Sequence, residues 1–382
     1  MKSIVKLGVI LVCLMVTYSC NANTKNSDIA AKSTHEHPSK QYIKVALLLD
    51  TSNSMDGLID QAKAQLWEIV NELSYARCES ERPNLQIALY EYGNDGLSSR
   101  EGYIRQVLNF SEDLDDISKE LFSLTTNGGN EFCGQVIQTS LNQLEWGSNP
   151  DDLKLIFIAG NEPFTQGKVD YNNVGLNAKE KDVTVNTIFC GDYTLGINTS
   201  WKNGADITGG DYIAIDHNKS TVHIISPYDD AILILNKKLN KTYVYYGNKG
   251  REKMALQSEQ DKKAEGYSSA NAVSRTVSKS SHLYKNSKWD LVDAVEMEEV
   301  TVEDIDDSVL PDSLQGKTKT EIKAYVKEMA KERKAIQTEI QELNKKRRDF
   351  IAEKQKEAAN GLENAMINAI KTQAKKKNYK WQ

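Results

Sequence analysis

The chain has 382 residues, 39% hydrophobic and 27% charged, with a formal net charge of −6. That length exceeds one average domain and implies a large domain with an extension, or two domains. The negative balance carries no signature of nucleic-acid binding, and no such partner is expected.

Residues 1–19 read as an export signal: Lys2 and Lys6, an apolar run from Leu7 to Val16, then small or polar residues up to Cys20. The run is well short of the roughly 20 residues that span a bilayer as a helix. "TYSC" (17–20) resembles the lipobox of bacterial lipoproteins, with Thr17 where Leu is usual. The resemblance implies that Cys20 is acylated, begins the mature chain and anchors it to a membrane of the bacterial cell envelope. Each buried acyl CH₂ contributes about 0.8 kcal/mol to such an anchor. The alternative is an ordinary cleaved signal with an incidental cysteine. Residues 20–41 hold almost no large apolar side chain and read as a disordered tether, in which His35 and His37 are solvated.

From residue 42 the pattern alternates. "YIKVALLLD" (42–50) is an unbroken apolar run, as in a strand buried on both faces. Residues 57–76 place Leu58, Ala62, Leu66, Ile69, Val70 and Leu73 at helical spacing. Strands are expected at 85–93, at 102–110 (more polar, toward an edge), at 153–160 and 182–191, and as short pieces at 211–216 and 221–226. Amphipathic helices are expected at 112–124, 134–146 and 229–243. Such alternation predicts an α/β fold, a Rossmann-like, doubly wound and mostly parallel sheet. Its right-handed crossovers put helices on both faces, and ligands bind beyond the C-terminal strand ends.

The first of those ends carries "DTSNSM" (50–55), with Asp50, Ser52 and Ser54 on alternate residues. Placed between strand and helix, it resembles the D-x-S-x-S of von Willebrand factor type A domains. "TTNGGNEFCGQVI" (125–137) is similar to their second loop, "KLIFIAGNEPF" (154–164) to their fourth strand and third loop, and "ADITGGDYIAI" (205–215) to the segment before their last strand. The resemblance covers about 43–243. It implies a metal-ion-dependent adhesion site holding Mg²⁺ or another divalent cation, a hard ion that takes oxygen ligands. Asp50, Ser52 and Ser54 would form its core, and a partner protein's carboxylate would complete it. Two positions depart from the pattern. Asn130 stands where the second loop offers threonine. Gly160 stands where the third loop offers aspartate, leaving Glu162 or Glu131 to substitute. A second reading stays open: a metal-free polar loop whose Asp50 and serines cap the helix and satisfy backbone N–H groups.

No enzyme is expected. A haloacid-dehalogenase phosphatase needs an acid at the position of Ser52, no Gly-Lys-Ser/Thr phosphate loop is present, and neither Ser54 nor the pair Cys190 and His217 sits in a recognisable hydrolase context. Three cysteines follow Cys20. Cys133 and Cys190 each precede a glycine, and the implied fold puts both near the top of the sheet, making them a candidate disulfide in an oxidising compartment.

Beyond an A-type domain at 42–245, residues 246–316 read as a helical and linker region, with "LYKNSKWDLVDA" (283–294) as an aromatic anchor. Residues 317–382 read as a basic helical tail. Ile322, Val326, Met329, Ile336, Ile340, Leu343 and Phe350 form a heptad seam, partly coiled-coil in character, which Arg333 and Arg347 interrupt. Gly361 is expected to break the helix. The tail carries 18 basic and 9 acidic residues, so the rest of the chain is at −15. The expectation is an envelope lipoprotein whose head binds another protein. The rival is a metal-independent scaffold acting through its tail.

Overall fold

A computed structural model describes residues 40–78, 81–219, 224–354 and 362–381. The export signal, Cys20, His35, His37 and Gly361 lie outside the described residues. Lys40–Gln382 form one compact unit.

The central strand β1 (Tyr42–Asp50) is buried from Ile43 onward, which requires cover on both faces. After it come α1 (Asp56–Leu73), the short β2 (Ala76–Cys78), β3 (Asn84–Tyr92), β4 (Ile104–Ser111), α2 (Leu114–Ser123), α3 (Cys133–Gln143) and β5 (Leu153–Gly160). Next are α4 (Tyr171–Glu180), β6 (Thr184–Cys190), α5 (Tyr193–Asn198), α6 (Trp201–Asp206) and β7 (Tyr212–Ile215). The sheet order is β4-β3-β1-β5-β6-β7. Every pairing is parallel except that of the edge strand β4 with β3. This is the expected doubly wound sheet. Alternate residues of β1 feed two cores: Ala46 and Leu48 pack with Val136, Ile137, Val174 and Trp201, whereas Ile43, Val45, Leu47 and Leu49 pack toward Leu58, Leu66, Ile117 and Leu121. The helices α4, α5 and α6 were not anticipated from the sequence. Of the strand expected at 221–226, residues 224–226 lie outside any strand and the rest lie outside the described residues.

The candidate disulfide is not formed. Cys133 and Cys190 are both free and buried. The physical reason is the sheet itself, because Cys133 belongs to the core on one face and Cys190 to the core on the other.

The C-terminal part continues with α7 (Asp229–Leu239), α8 (Gly250–Tyr267), α9 (Ser269–Lys279), α10 (Leu291–Glu296), α11 (Lys319–Lys354), α12 (Leu362–Lys375) and β8 (Tyr379–Trp381). It is packed onto the sheet domain. Leu362, Met366, Ala369 and Ile370 of α12 join the core of Leu47, Leu49, Phe157 and Ile188. The first N–H groups of α12, which a helix cannot satisfy internally, donate to Gln61 Oε1 (3.2 Å) and Gln65 Oε1 (2.6 Å) of α1. β8 pairs antiparallel with β2, Trp381 Nε1 donates to the Glu72 carbonyl, and Lys377 reaches Asp182 at 2.6 Å. The C-terminal end is thus folded against its own domain.

The two arginines that interrupt the seam are anchors. Arg333 is buried; Nη1 contacts Asp290 Oδ2 at 2.5 Å and also Asp293, and Nη2 donates to the Thr242 carbonyl at 2.6 Å. Its guanidinium lies over the Tyr243 ring, 4.5 Å from the centroid. Arg347 Nε donates to Asp229 Oδ1 at 3.1 Å. The seam residues Ile336 and Ile340 face the shared core, and Ile322 and Val326 pack with Val244, Leu291 and Leu314. Removing one partner of a buried ion pair costs about 3–5 kcal/mol because the other charge is stranded. Arg333→Ala is therefore expected to lower unfolding free energy by about that amount, read from urea denaturation; a loss under about 1 kcal/mol, the range of an exposed pair, would show that the clasp is dispensable.

Candidate metal centre

The crest gathers three loops beyond the C-terminal ends of β1, β3 and β5. The first turns sharply after Asp50: Ser52 is extended, Asn53–Met55 form a short 3₁₀ turn, and α1 follows. The Thr51 N–H donates to the Tyr92 carbonyl at 2.8 Å, fixing this loop to β3. The second loop is tied to the first by Asn127 N–H on the Thr51 carbonyl (2.9 Å) and to the β3 end by Asp95 N–H on the Gly128 carbonyl (2.6 Å). The third follows Gly160 and is tied to the second, since Gln166 Oε1 accepts the Glu131 N–H at 2.8 Å.

These ties bring five oxygen-bearing side chains together. Asp50 is fully buried; its Oδ1 accepts the Ser52 N–H at 2.7 Å. The Ser52 and Ser54 hydroxyls lie 3.3 Å apart, and Asn161 Nδ2 donates to Ser54 Oγ at 3.2 Å. Glu131 is 3% exposed, and its carboxyl lies within hydrogen-bonding reach of both Asp50 and Ser52. Burial, reinforced by the Glu131 carboxyl, pushes Asp50 well above the usual carboxylate range. Burial likewise raises Glu131. Three buried oxygens, Asp50 Oδ2, Glu131 Oε2 and Asn161 Oδ1, have no hydrogen-bond donor. Buried polar atoms in folded proteins are almost always satisfied, so the orphaned oxygens of the neighbouring Asp50 and Glu131 mark a place for a positively charged or donating group.

Helix capping does not account for the loop's polar groups. Neither Ser52, which precedes the 3₁₀ turn, nor Met55, which precedes α1, makes a side-chain capping bond. The donor set, carboxylates with neutral hydroxyl and amide oxygens, suits a hard divalent cation. Among the described residues, no group of three or more His, Cys, Asp or Glu side chains is placed to hold a metal ion; the crest instead mixes two carboxylates with neutral oxygens.

Of the ligands expected from sequence, Asp50, Ser52 and Ser54 stand together. Asn130 and Glu162 are exposed; the Glu162 backbone hydrogen-bonds the Glu131 carboxyl, which the nearby Glu162 carboxylate also raises. Gly160 is explained by its neighbour: a Cβ there would lie 2.5 Å from Tyr92 Oη, which donates to the Ala159 carbonyl at 3.0 Å. Asn161 and Tyr92 were not singled out from the sequence. The signal that could have found them is Gly160 itself, since a missing acid on a convergent crest asks what fills its space.

Residues 44–198 match the family model of the von Willebrand factor type A domain. This segment is a von Willebrand factor type A domain. Such A domains generally mediate protein–protein interaction and commonly bind a divalent cation at a metal-ion-dependent adhesion site. Similar solved structures include BatB from Bacteroides thetaiotaomicron, at 16% identity and TM-score 0.35 over 46% of this chain and 90% of that one. An aerotolerance-related membrane protein from Bacteroides fragilis shows 14% identity and TM-score 0.32 over 46% and 93%. Proximal thread matrix protein 1 from the mussel byssus, in a form with a zinc-occupied site of this kind, shows 13% identity and TM-score 0.36. That likeness covers 47% of this chain and 43% of the mussel protein. No curated protein matches the chain.

The packing around Gly160 is directly testable. Gly160→Ala in the A domain is expected to destabilise the chain by about 1–3 kcal/mol, the usual cost of overpacking. Tyr92→Phe, which removes the colliding hydroxyl, is expected to relieve most of that loss. Equal melting temperatures for Gly160→Ala and the parent would show that the crest accepts a side chain there.

Proposed function

We propose that the chain is an envelope-anchored interaction module that captures another protein at the A-domain crest. Cys20 carries the lipid, residues 20–41 form the tether, and Asp50, Ser52 and Ser54 hold Mg²⁺ or another divalent cation. The observation that carries this reading is the unused chemistry of the crest loop: Asp50 keeps a buried oxygen without a donor, and neither serine caps a helix. When bound, the ion would supply a positive point that accepts a partner carboxylate. Asp50 fixes the loop by accepting the Ser52 N–H, so both hydroxyls face the same side without rearrangement. Exposed Asn130 and Glu162 are assigned to the rim that an incoming protein crosses.

The module acts by binding rather than catalysis. Burial pushes the Cys133 and Cys190 thiols well above their usual range, away from nucleophilic thiolate, and the Ser54 hydroxyl meets Ser52 and Asn161, neither of them a base. The rival, a scaffold acting through its tail, is disfavoured because Arg333, Arg347 and Lys377 are engaged by the chain's own acids. No described helix is long and apolar enough to cross a membrane.

Titration of the chain with Mg²⁺ and Mn²⁺, by calorimetry and thermal shift, tests the cation. Saturable heat and a rise in melting temperature are expected, and both should disappear in Asp50→Ala. No response at millimolar ion, or the same response in Asp50→Ala, would sink the reading. The anchor has its own test: Cys20→Ala is expected to leave the membrane fraction and appear in the soluble one, and unchanged sedimentation with membranes would rule the lipid out.

A further inference from the structure

The carboxylate that Gly160 cannot provide has a counterpart one loop away. We infer that Glu131 is the second acidic ligand of the crest cation, with Asn161 as a neutral oxygen donor beside it. This rests on the reading that the crest holds a cation, and it replaces Asn130 and Glu162 as the residues that complete the site.

Burial is the first argument. Glu131 is 3% exposed and Asp50 is fully buried, and side chains of this kind are almost never buried unless paired. Among the described residues, no Lys, Arg or His forms an ion pair with either; the acid on β3 that does find a cation is Glu91, held by Arg105 at 2.5 Å. The Asp50 and Glu131 carboxyls lie within hydrogen-bonding reach of each other, and each keeps one buried oxygen without a further partner. Leaving ionised carboxylates buried and uncompensated costs several kcal/mol per ion. Either a proton or a cation must lie between them.

Position decides between Glu131 and its neighbours. Ser52 is within hydrogen-bonding reach of both carboxyls, so Glu131 surrounds the point that the D-x-S-x-S loop already defines. The backbone of Glu131 is held by Gln166 and its carboxyl receives the Glu162 N–H. The side chain is therefore fixed before any ion arrives. Asn130 is exposed. Room for this arrangement comes from two glycines. Gly93 has φ +78°, and a Cβ on it would lie 2.8 Å from both Asp50 Oδ1 and Glu131 Cγ. Gly160 leaves space for the Tyr92 hydroxyl, which occupies the place an acid at 160 would enter. Tyr92, Gly93, Glu131 and Gly160 thus form one consistent exchange, in which the acid moves from the third loop to the second.

The experiment is Mn²⁺ and Mg²⁺ titration of the full chain, by calorimetry and thermal shift, for the parent, Glu131→Gln, Asn130→Ala and Glu162→Gln. Glu131→Gln is expected to weaken Mn²⁺ binding about tenfold or more, since affinity at such sites follows the count of charged ligands. Asn130→Ala and Glu162→Gln are expected to bind like the parent. Without metal, Glu131→Gln should melt higher than the parent, because its amide gives Asp50 a donor. Parent-like affinity in Glu131→Gln would overturn the inference while leaving the cation reading intact. No ion binding by the parent would overturn both, and would leave a shared proton as the occupant. A metal-free Glu131→Gln chain that melts lower, or does not fold, would also overturn it, because the carboxylate would then be a structural partner.

Discussion

Everything in this molecule follows from a central strand buried on both faces. β1 exposes almost nothing beyond Tyr42, so the sheet is stable only between two helical layers. One layer is built from nearby sequence, α3, α4 and α6. The other begins with α1 and α2 but is completed by α12, contributed from about three hundred residues downstream. Burying a leucine- or methionine-sized side chain contributes about 1.5–3 kcal/mol, so Leu362, Met366 and Ile370 are a substantial part of that core. The C-terminal third is part of the A-domain core and not an appendage to it.

Charge directs how that third is seated. The chain outside 317–382 is strongly acidic and the tail is basic, but long-range attraction between exposed groups is weak and screened. Exposed pairs such as Arg251–Asp312 contribute little. The pairs that select a single arrangement are the buried ones. Arg333 is clasped between α10 and the Thr242–Tyr243 turn, and Arg275 joins Asp115 of α2 to Asp261 of α8 while lying over Trp67 of α1. Each demands a specific partner and tolerates no slip in register, so they fix which faces meet, whereas the apolar seam supplies the burial.

The sheet was legible because its central strands are unbroken apolar runs and its longer helices α1, α2 and α3 carry clear periodicity, both properties of single segments. The packing of the tail was not legible. A heptad seam records that a helix has an apolar face, not what covers it, and Arg333 and Arg347 read as interruptions because their acids, Asp290 and Asp229, lie in distant sequence. The same blindness produced the Cys133–Cys190 pairing: both residues do lie near the crest, but spacing cannot tell which face of a sheet each core belongs to. At the crest, Asp50, Ser52 and Ser54 were readable as a local motif. Glu131 was visible only as one of several acids, since its inward direction depends on Gln166 and Glu162 across two loops.

That last dependence explains why a motif can lose a residue without its chemistry being lost. A crest site is defined by a point in space on which three loops converge, and a hard cation asks for oxygen and charge at that point, not for a particular loop to deliver them. A carboxylate withdrawn from the end of β5 can therefore be supplied from the loop before α3, provided the vacated volume is filled and the new side chain has room. Tyr92 meets the first condition and Gly93 the second. Because both residues are adjacent at the end of β3, one short stretch of sequence controls whether the acid at 160 or the acid at 131 can be accommodated. The D-x-S-x-S string alone cannot report that choice. The residues that do report it bear no charge.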